Sequence, residues 1–234
     1  MRNLILTLTA IISTLLVSGQ QINDPNAEVR EAKNFHGVNV SNAFDVYISQ
    51  GNEEGVAVSA ASQKDREQIR VEVKEGTLVI SLDKGWNWTK GNRKLKAYIS
   101  VKQLDRLEIS GACDVFINGV LKATELSIKQ SGASDLKGKL EVDKLAVDLS
   151  GASDMMISGK ATQVFIEASG ASDFKGFDLE TDICDAHASG ASDIRITVNK
   201  ELSAHASGAS DVKYKGSGTV KDIKSSGSSS VSRG

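Results

Sequence analysis

The chain has 234 residues, 40% of them hydrophobic and 25% charged, with 28 basic against 30 acidic side chains for a formal net charge of −2. This is the balance of an ordinary folded protein, and it argues against nucleic acid or anionic lipid as a partner because no whole-molecule field exists to gather either. Twenty-one glycines stand against a single proline, and aromatics make up only 5%; a core filled by large rings is disfavoured, and small residues must serve a repeated purpose.

Arg2 followed by the apolar run Leu4 to Val17, with the small residues Ser18 and Gly19 behind it, reads as a signal peptide over residues 1–19. The expectation is an exported chain, periplasmic or displayed at the cell surface, with no membrane span in its mature part. Residues 20–33 are polar, contain Pro25, and read as a leader.

From Asn34 to Ser100 the strand signals are Gly55 to Ala60, Ile69 to Lys74, Thr77 to Leu82 and Lys96 to Val101, and Ser62 to Gln68 suggests a helical turn. Residues 34–109 are therefore expected to form irregular β coils that cap the N-terminal end of a longer array, because terminal repeats are normally atypical. A separate small β-domain is the alternative.

The array itself is plain. Ser-Gly-Ala-Ser-Asp starts at Ser131, Ser150, Ser169, Ser189 and Ser207, preceded by Ser110-Gly111-Ala112-Cys113-Asp114 and followed by a worn copy at Ser226. A degenerate copy at Ser41-Asn42-Ala43-Phe44-Asp45 lies far upstream. Five and three residues before each first serine stand apolar columns, Leu126, Leu145, Val164, Cys184, Leu202 and Leu107, Ile128, Val147, Ile166, Ala186, Ala204, Ile223. The residue between the inner column and the motif is polar in each copy, which is the period-2 alternation of a strand with one buried face. After each aspartate a third apolar column begins: Val115, Leu136, Met155, Phe174, Ile194, Val212, Val231.

A unit of about 19 residues cannot close a hydrophobic face alone, so copies must stack with equivalent strands about 4.8 Å apart. The fold class is all-β, a parallel β-solenoid whose regular repeats run from 110 to 234. Each repeat is expected to be strand, Gly-Ala-Ser corner, strand and a variable connection such as Lys139 to Lys144. The alanine of each corner is expected to point inward, so that Ala171→Leu overpacks the coil. Spacing alone leaves the hand of the solenoid open.

The signals Phe35-x-x-Val38-x-Val40-Ser41-x-Ala43-x-Asp45-Val46, together with the run of Ser-Gly-Ala-Ser-Asp coils, resemble the head GIN domain family, a domain of unknown function described as a "putative auto-transporter adhesin". The resemblance covers roughly residues 34 to 231. It implies a right-handed parallel β-helix of the pectin-lyase-like kind, an exported adhesin or surface or periplasmic scaffold, and it brings no catalytic residues.

The aspartate column, Asp45, Asp114, Asp135, Asp154, Asp173, Asp193 and Asp211, is the strongest candidate for chemistry. Stacked carboxylates repel, so each is expected to accept backbone N–H bonds in an Asx-type turn, helped by Lys137, Lys175, Arg195 and Lys213. Calcium held at the corners is the competing account. A carbohydrate-active β-helix enzyme, a polysaccharide lyase or hydrolase, is the rival function, but such enzymes cluster acids at one place in a groove, whereas here they repeat uniformly. Glu167, His187 and His205 share an outward column and are weak metal candidates, because a line of ligands converges poorly on one ion. Trp86 and Trp88, among lysines and arginine, are a candidate tip for a glycan or protein surface ligand. Cys113 and Cys184 fall in different columns several coils apart and are expected to stay unpaired. No cofactor is expected. The serine-rich last copy either blunts the open solenoid edge or pairs with a second subunit.

Overall fold

The computed structural model describes residues 15–17, 20–83 and 94–234. Short strands come first: Leu15–Val17 (β1), Gln20–Ile22 (β2), Glu28–Arg30 (β3), Gly37–Val40 (β4), Phe44–Gln50 (β5) and Gly55–Ser59 (β6). A single helical turn, Gln63–Arg66 (α1), is capped by the Ser62 side chain, which accepts from the N–H of Asp65. Ile69–Lys74 (β7), Thr77–Leu82 (β8), Leu95–Val101 (β9) and Arg106–Ile109 (β10) complete the irregular part. The long strands of the array are Asp114–Gln130 (β11), Asp135–Leu149 (β12), Asp154–Ala168 (β13), Asp173–Ala188 (β14) and Asp193–Gly208 (β15). Asp211–Lys215 (β16), Thr219–Gly227 (β17) and Ser230–Arg233 (β18) end the chain.

The result is a parallel β-solenoid of about seven turns. Register follows the repeat: Asp45, Asp114, Asp135, Asp154, Asp173, Asp193 and Asp211 are successive partners, as are Leu107, Ile128, Val147, Ile166, Ala186, Ala204 and Ile223. The stack reaches into the upstream region without a break, since β10 pairs β4 and β11 pairs β5, both parallel. Strands β3, β6 and β7 then pair antiparallel with their neighbours at the N-terminal end.

Two expectations about the coil are corrected. Residues 139–144 are not a variable connection: they lie inside β12 and form a third wall with two buried columns, Leu121, Leu140 and Leu179 in one and Val142, Ala161, Thr181 and Val198 in the other. The corner alanines do not face inward. Ala112, Ala133, Ala152, Ala171, Ala191 and Ala209 are exposed, and the following residue is the buried one: Cys113, Ser134, Ser153, Ser172, Ser192 and Ser210 are each 0% exposed. The physical reason is the glycine. Gly151, for instance, has φ +79°, and this left-handed residue turns the chain so that alanine swings out and serine swings in. A Cβ on Gly151 would sit 2.5 Å from the carbonyl oxygen of Gly132 one coil below. That closeness is the corner's own ladder: the N–H of Ala152 donates to the Gly132 carbonyl at 2.8 Å, and Ala171 repeats the bond to Gly151 at 2.8 Å. In the upstream copy Asn42 takes the glycine position at φ 86°, a conformation asparagine tolerates better than most residues.

The main core is one continuous column from Ala32 to Val212, with a small separate cluster at Ala57. Each buried corner serine satisfies its hydroxyl on backbone, donating to the carbonyl three residues earlier: Ser134 to Ser131 at 3.1 Å, Ser153 to Ser150 at 3.0 Å, Ser172 to Ser169 at 2.8 Å. These hydroxyls therefore cost little to bury, whereas the Oε1 of the buried Gln130 has no hydrogen-bond partner among the described residues.

Candidate functional site

Each coil shows outward residues on three walls, and function must be sought there. On the wall that follows the corner, the aspartate column alternates with a second outward column, Tyr98, Tyr47, Phe116, Lys137, Met156, Lys175, Arg195 and Lys213. Among the described residues no backbone N–H donates to a carboxylate of the aspartate column, so the expected Asx turns are absent. For Asp154, Asp173 and Asp193 charge is offset from the neighbouring column instead. Lys175 Nζ lies 2.6 Å from Asp154 and 3.4 Å from Asp173, Arg195 lies 3.0 Å from Asp193, and Asp211 accepts from the Ser230 hydroxyl at 2.6 Å. The bond to Asp154 holds the Lys175 ammonium above its ordinary pKa, against a partial desolvation that lowers it. Lys137 and Lys213 make no such pair.

Further down the same wall the column becomes aromatic. Tyr98, Tyr47 and Phe116 stack with centroids 5.3 and 5.4 Å apart and ring planes within 18° of parallel. The rings cover one another's faces and present mainly edges to solvent, which suits fold maintenance better than stacking on a ligand.

On the wall that precedes the corner, Glu167, His187 and His205 are register partners, as their column requires. Each imidazole is engaged separately: His187 Nε2 with Asp185 at 3.0 Å, His205 Nε2 with Asp222 at 3.0 Å, while the two rings meet edge to face at 4.8 Å. Among the described residues no group of three His, Cys, Asp or Glu is placed to hold a metal ion. Cys113 and Cys184 are both buried and free. Burial pushes both thiols above their ordinary pKa. Trp86 and Trp88 lie outside the described residues, as does most of the 1–19 segment expected to be a signal peptide; no helix among the described residues is long and apolar enough to cross a membrane.

The feature that column-by-column reading passed over is a groove of about 980 Å³ on the same wall as the histidines. Its floor is the outward column between the two buried ones: Arg106, Ser127, Ala146, Phe165 and Asp185 in successive coils. The small side chains of Ser127 and Ala146 make the depression, and Phe165, 43% exposed, and Ile183, 38% exposed, close one end. A signal existed in the sequence: phenylalanine and isoleucine at outward positions break the polar pattern of the copies around them.

A family model described as "Putative auto-transporter adhesin, head GIN domain" matches residues 34–218. The chain belongs to the head GIN domain family. Solved structures agree with this head GIN architecture. One from Bacteroides fragilis, described as a "putative adhesin", superposes with a TM-score of 0.81 at 23% identity, covering 88% of this chain and 95% of that one. A "putative adhesin" from Parabacteroides merdae gives 0.70 at 16% identity, over 89% and 95%. A "Putative lipid binding protein" from Parabacteroides distasonis gives 0.65 at 19%, over 90% and 98%. At these identities the likeness shows the fold of the head GIN domain. A comparison with curated proteins found no match.

Proposed function

We propose that this head GIN domain protein is an exported, non-enzymatic adhesin or scaffold, released from its signal segment near Gln20, whose work is done by a long rigid surface facing a glycan or protein ligand. The observation that carries the reading is the uniformity of the acids. Seven aspartates repeat through the register, each with a similar place on its coil, and such a uniform column differs from the single carboxylate pair at one place in a groove on which glycoside or polysaccharide cleavage depends. In this reading the aspartate column maintains the corners. Relatives described as adhesins favour the same conclusion.

The test is a glycan, matrix-protein and lipid binding array with the mature protein, run beside the Trp86→Ala, Trp88→Ala double variant. Retention on one ligand class without turnover is expected. Cleavage of a polysaccharide that a single aspartate substitution abolishes would replace the adhesin by an enzyme. Light scattering of the same sample reports whether the edge formed by β17 and β18 pairs with a second subunit.

A further inference from the structure

The groove beside the histidines has one end unlike the rest of the surface, and that end is built around Phe165. Its neighbours in the column are Ala146 on one side, too small to cover a ring, and Asp185 on the other, while the imidazole of His187 meets it tilted at 5.6 Å. Part of the ring is packed and the rest is open over the groove, in contrast to the mutually covered stack of Tyr98, Tyr47 and Phe116. An open aromatic face on a rigid strand receives the apolar face of a sugar ring, or a cation held above it.

The charge around the ring adds a second requirement. Glu167 follows Phe165 two residues along the same face of its strand, Asp148 is the register partner of Glu167 in the coil on one side, and Asp185 is the register partner of Phe165 in the coil on the other. These three positions lie roughly 5 to 8 Å from that of the ring. Asp148 and Glu167 are exposed, and among the described residues neither side chain has a hydrogen bond or an ion pair. Asp185 is bonded to the His187 imidazole at 3.0 Å through one oxygen and keeps the other. The cations nearby are committed or outnumbered: Lys144 is held by Glu125 at 2.7 Å, and Lys129, in register between Glu108 and Asp148, can offset one of them but not both. Arg106 stands three coils from Phe165, roughly 14 Å along the stack. The surroundings of the ring are acidic, and a complementary ligand is positively charged.

We propose that this end of the groove binds an oligosaccharide of amino sugars, with one ring lying on Phe165 and its ammonium group meeting Glu167, Asp148 or the free oxygen of Asp185. The inference rests on the adhesin reading and narrows it to one chemistry of glycan. The shape of the floor favours a sugar chain over other cations. Beyond Phe165 the column continues with the small side chains of Ala146 and Ser127 in successive coils, so further rings can lie along the stack for roughly 10 Å before Arg106 is reached. A basic peptide would find the ring and the acids but no partner for its backbone. The groove lies on the face of a sheet whose own N–H and C=O groups are paired within the ladder, leaving no edge there for strand addition. A lipid surface would require a wider apolar patch than Phe165 and Ile183 supply.

The experiment is calorimetric titration of the mature protein with the chitosan tetramer, whose sugars carry free amines, with the chitin tetramer as the same chain N-acetylated and uncharged, and with tetralysine as a peptide of similar charge. The chitosan tetramer is expected to bind at least tenfold tighter than either control. Phe165→Ala should weaken it tenfold or more, and the Asp148→Asn, Glu167→Gln double variant should weaken it tenfold or more and flatten its salt dependence. All three side chains are exposed, so both variants should melt with the parent. Equal affinity for the chitin tetramer would show that the charge is not read, tetralysine binding as tightly would give the groove to a basic peptide, and unchanged affinity in either variant would move the ligand off this ring; each overturns the proposal. So does failure of the chitosan tetramer to bind, and the adhesin reading then falls only if the array of glycans, matrix proteins and lipids is blank as well.

Discussion

The hydroxyl of Ser172 donates to the carbonyl oxygen of Ser169 at 2.8 Å, closing its corner from inside the solenoid. Ala171, one residue earlier, faces solvent. The two positions make opposite predictions for the same substitution. Ser172→Leu should destabilise by about 1 to 3 kcal/mol or more through overpacking, and Ser172→Ala by about 1 kcal/mol through the lost bond. Ala171→Leu should change stability by no more than about 0.5 kcal/mol. Urea melting of the three variants checks this; a large loss in Ala171→Leu would place alanine back in the core.

Cys113 occupies the serine column of its coil. Its Sγ donates to the Ser110 carbonyl at 3.4 Å, a long version of the bond each corner serine makes, and accepts from the N–H of Phe44 at 3.5 Å. Cys113→Ser should therefore be neutral or stabilise by up to about 1 kcal/mol. Since burial raises both thiols, neither Cys113 nor Cys184 should react with a thiol reagent in the native protein, and both should react on unfolding. Rapid native labelling of either, or an intramolecular bridge in the mass spectrum, would contradict this placement.

Much of the fold was legible because the repeat carries its own register: once the serines are aligned, the columns at Leu126 and Ile128 or at Leu136 and Met155 declare which face is buried. The corner was harder. Strand alternation fails across a left-handed glycine, so the inward residue could not be counted from the strand, although Cys113 standing among serines was a clue that the column is buried. The acids were legible as a column but not as a network, because Lys175 reaches across coils and nothing local encodes that reach. The groove escaped for the complementary reason: its floor is an ordinary outward column of the repeat, and it becomes a depression only where Ser127 and Ala146 precede Phe165 in that column.

Lys175 gives the aspartate column its test. With its ammonium between Asp154 and Asp173, Lys175→Ala should leave two stacked carboxylates facing each other and cost about 0.5 to 1 kcal/mol, given its partial exposure, with a smaller loss at high salt. Millimolar calcium or a chelator should leave the melting temperature of the parent protein unchanged, because Lys175, Arg195 and the Ser230 hydroxyl already engage Asp154, Asp173, Asp193 and Asp211, and among the described residues no three acids or histidines are placed to hold an ion. A rise of several degrees with calcium, abolished by Asp154→Asn, would install metal in place of this network.

Asp24 is one of the points that fasten the leader to the solenoid, beside the pairing of β3 with β6, and pH should loosen it from both sides. Burial works against an ionised Asp24, but the N–H of Asn26 at 3.0 Å, the hydroxyls of Tyr98 at 2.9 Å and of Ser59, and the ammonium of Lys96 at 3.6 Å outweigh it and hold the carboxyl below its ordinary value of 3.8. A carboxyl lowered in the folded state contributes stability that is complete above the unfolded value and is lost as pH falls through the folded one. Tyr98 runs the other way. Burial first, and then its bond to Asp24, raise the phenol above its ordinary 10.0, so its contribution is complete below that value and declines as the unfolded phenol ionises at higher pH. Melting followed across the pH range should therefore fall at both limbs, the acid limb becoming shallower in Asp24→Asn and the alkaline limb in Tyr98→Phe. If Asp24→Asn left the acid limb as steep as in the parent, other carboxylates such as Glu28, lowered by its bond to Arg66, would govern acid loosening and the fastening at Asp24 would carry no weight.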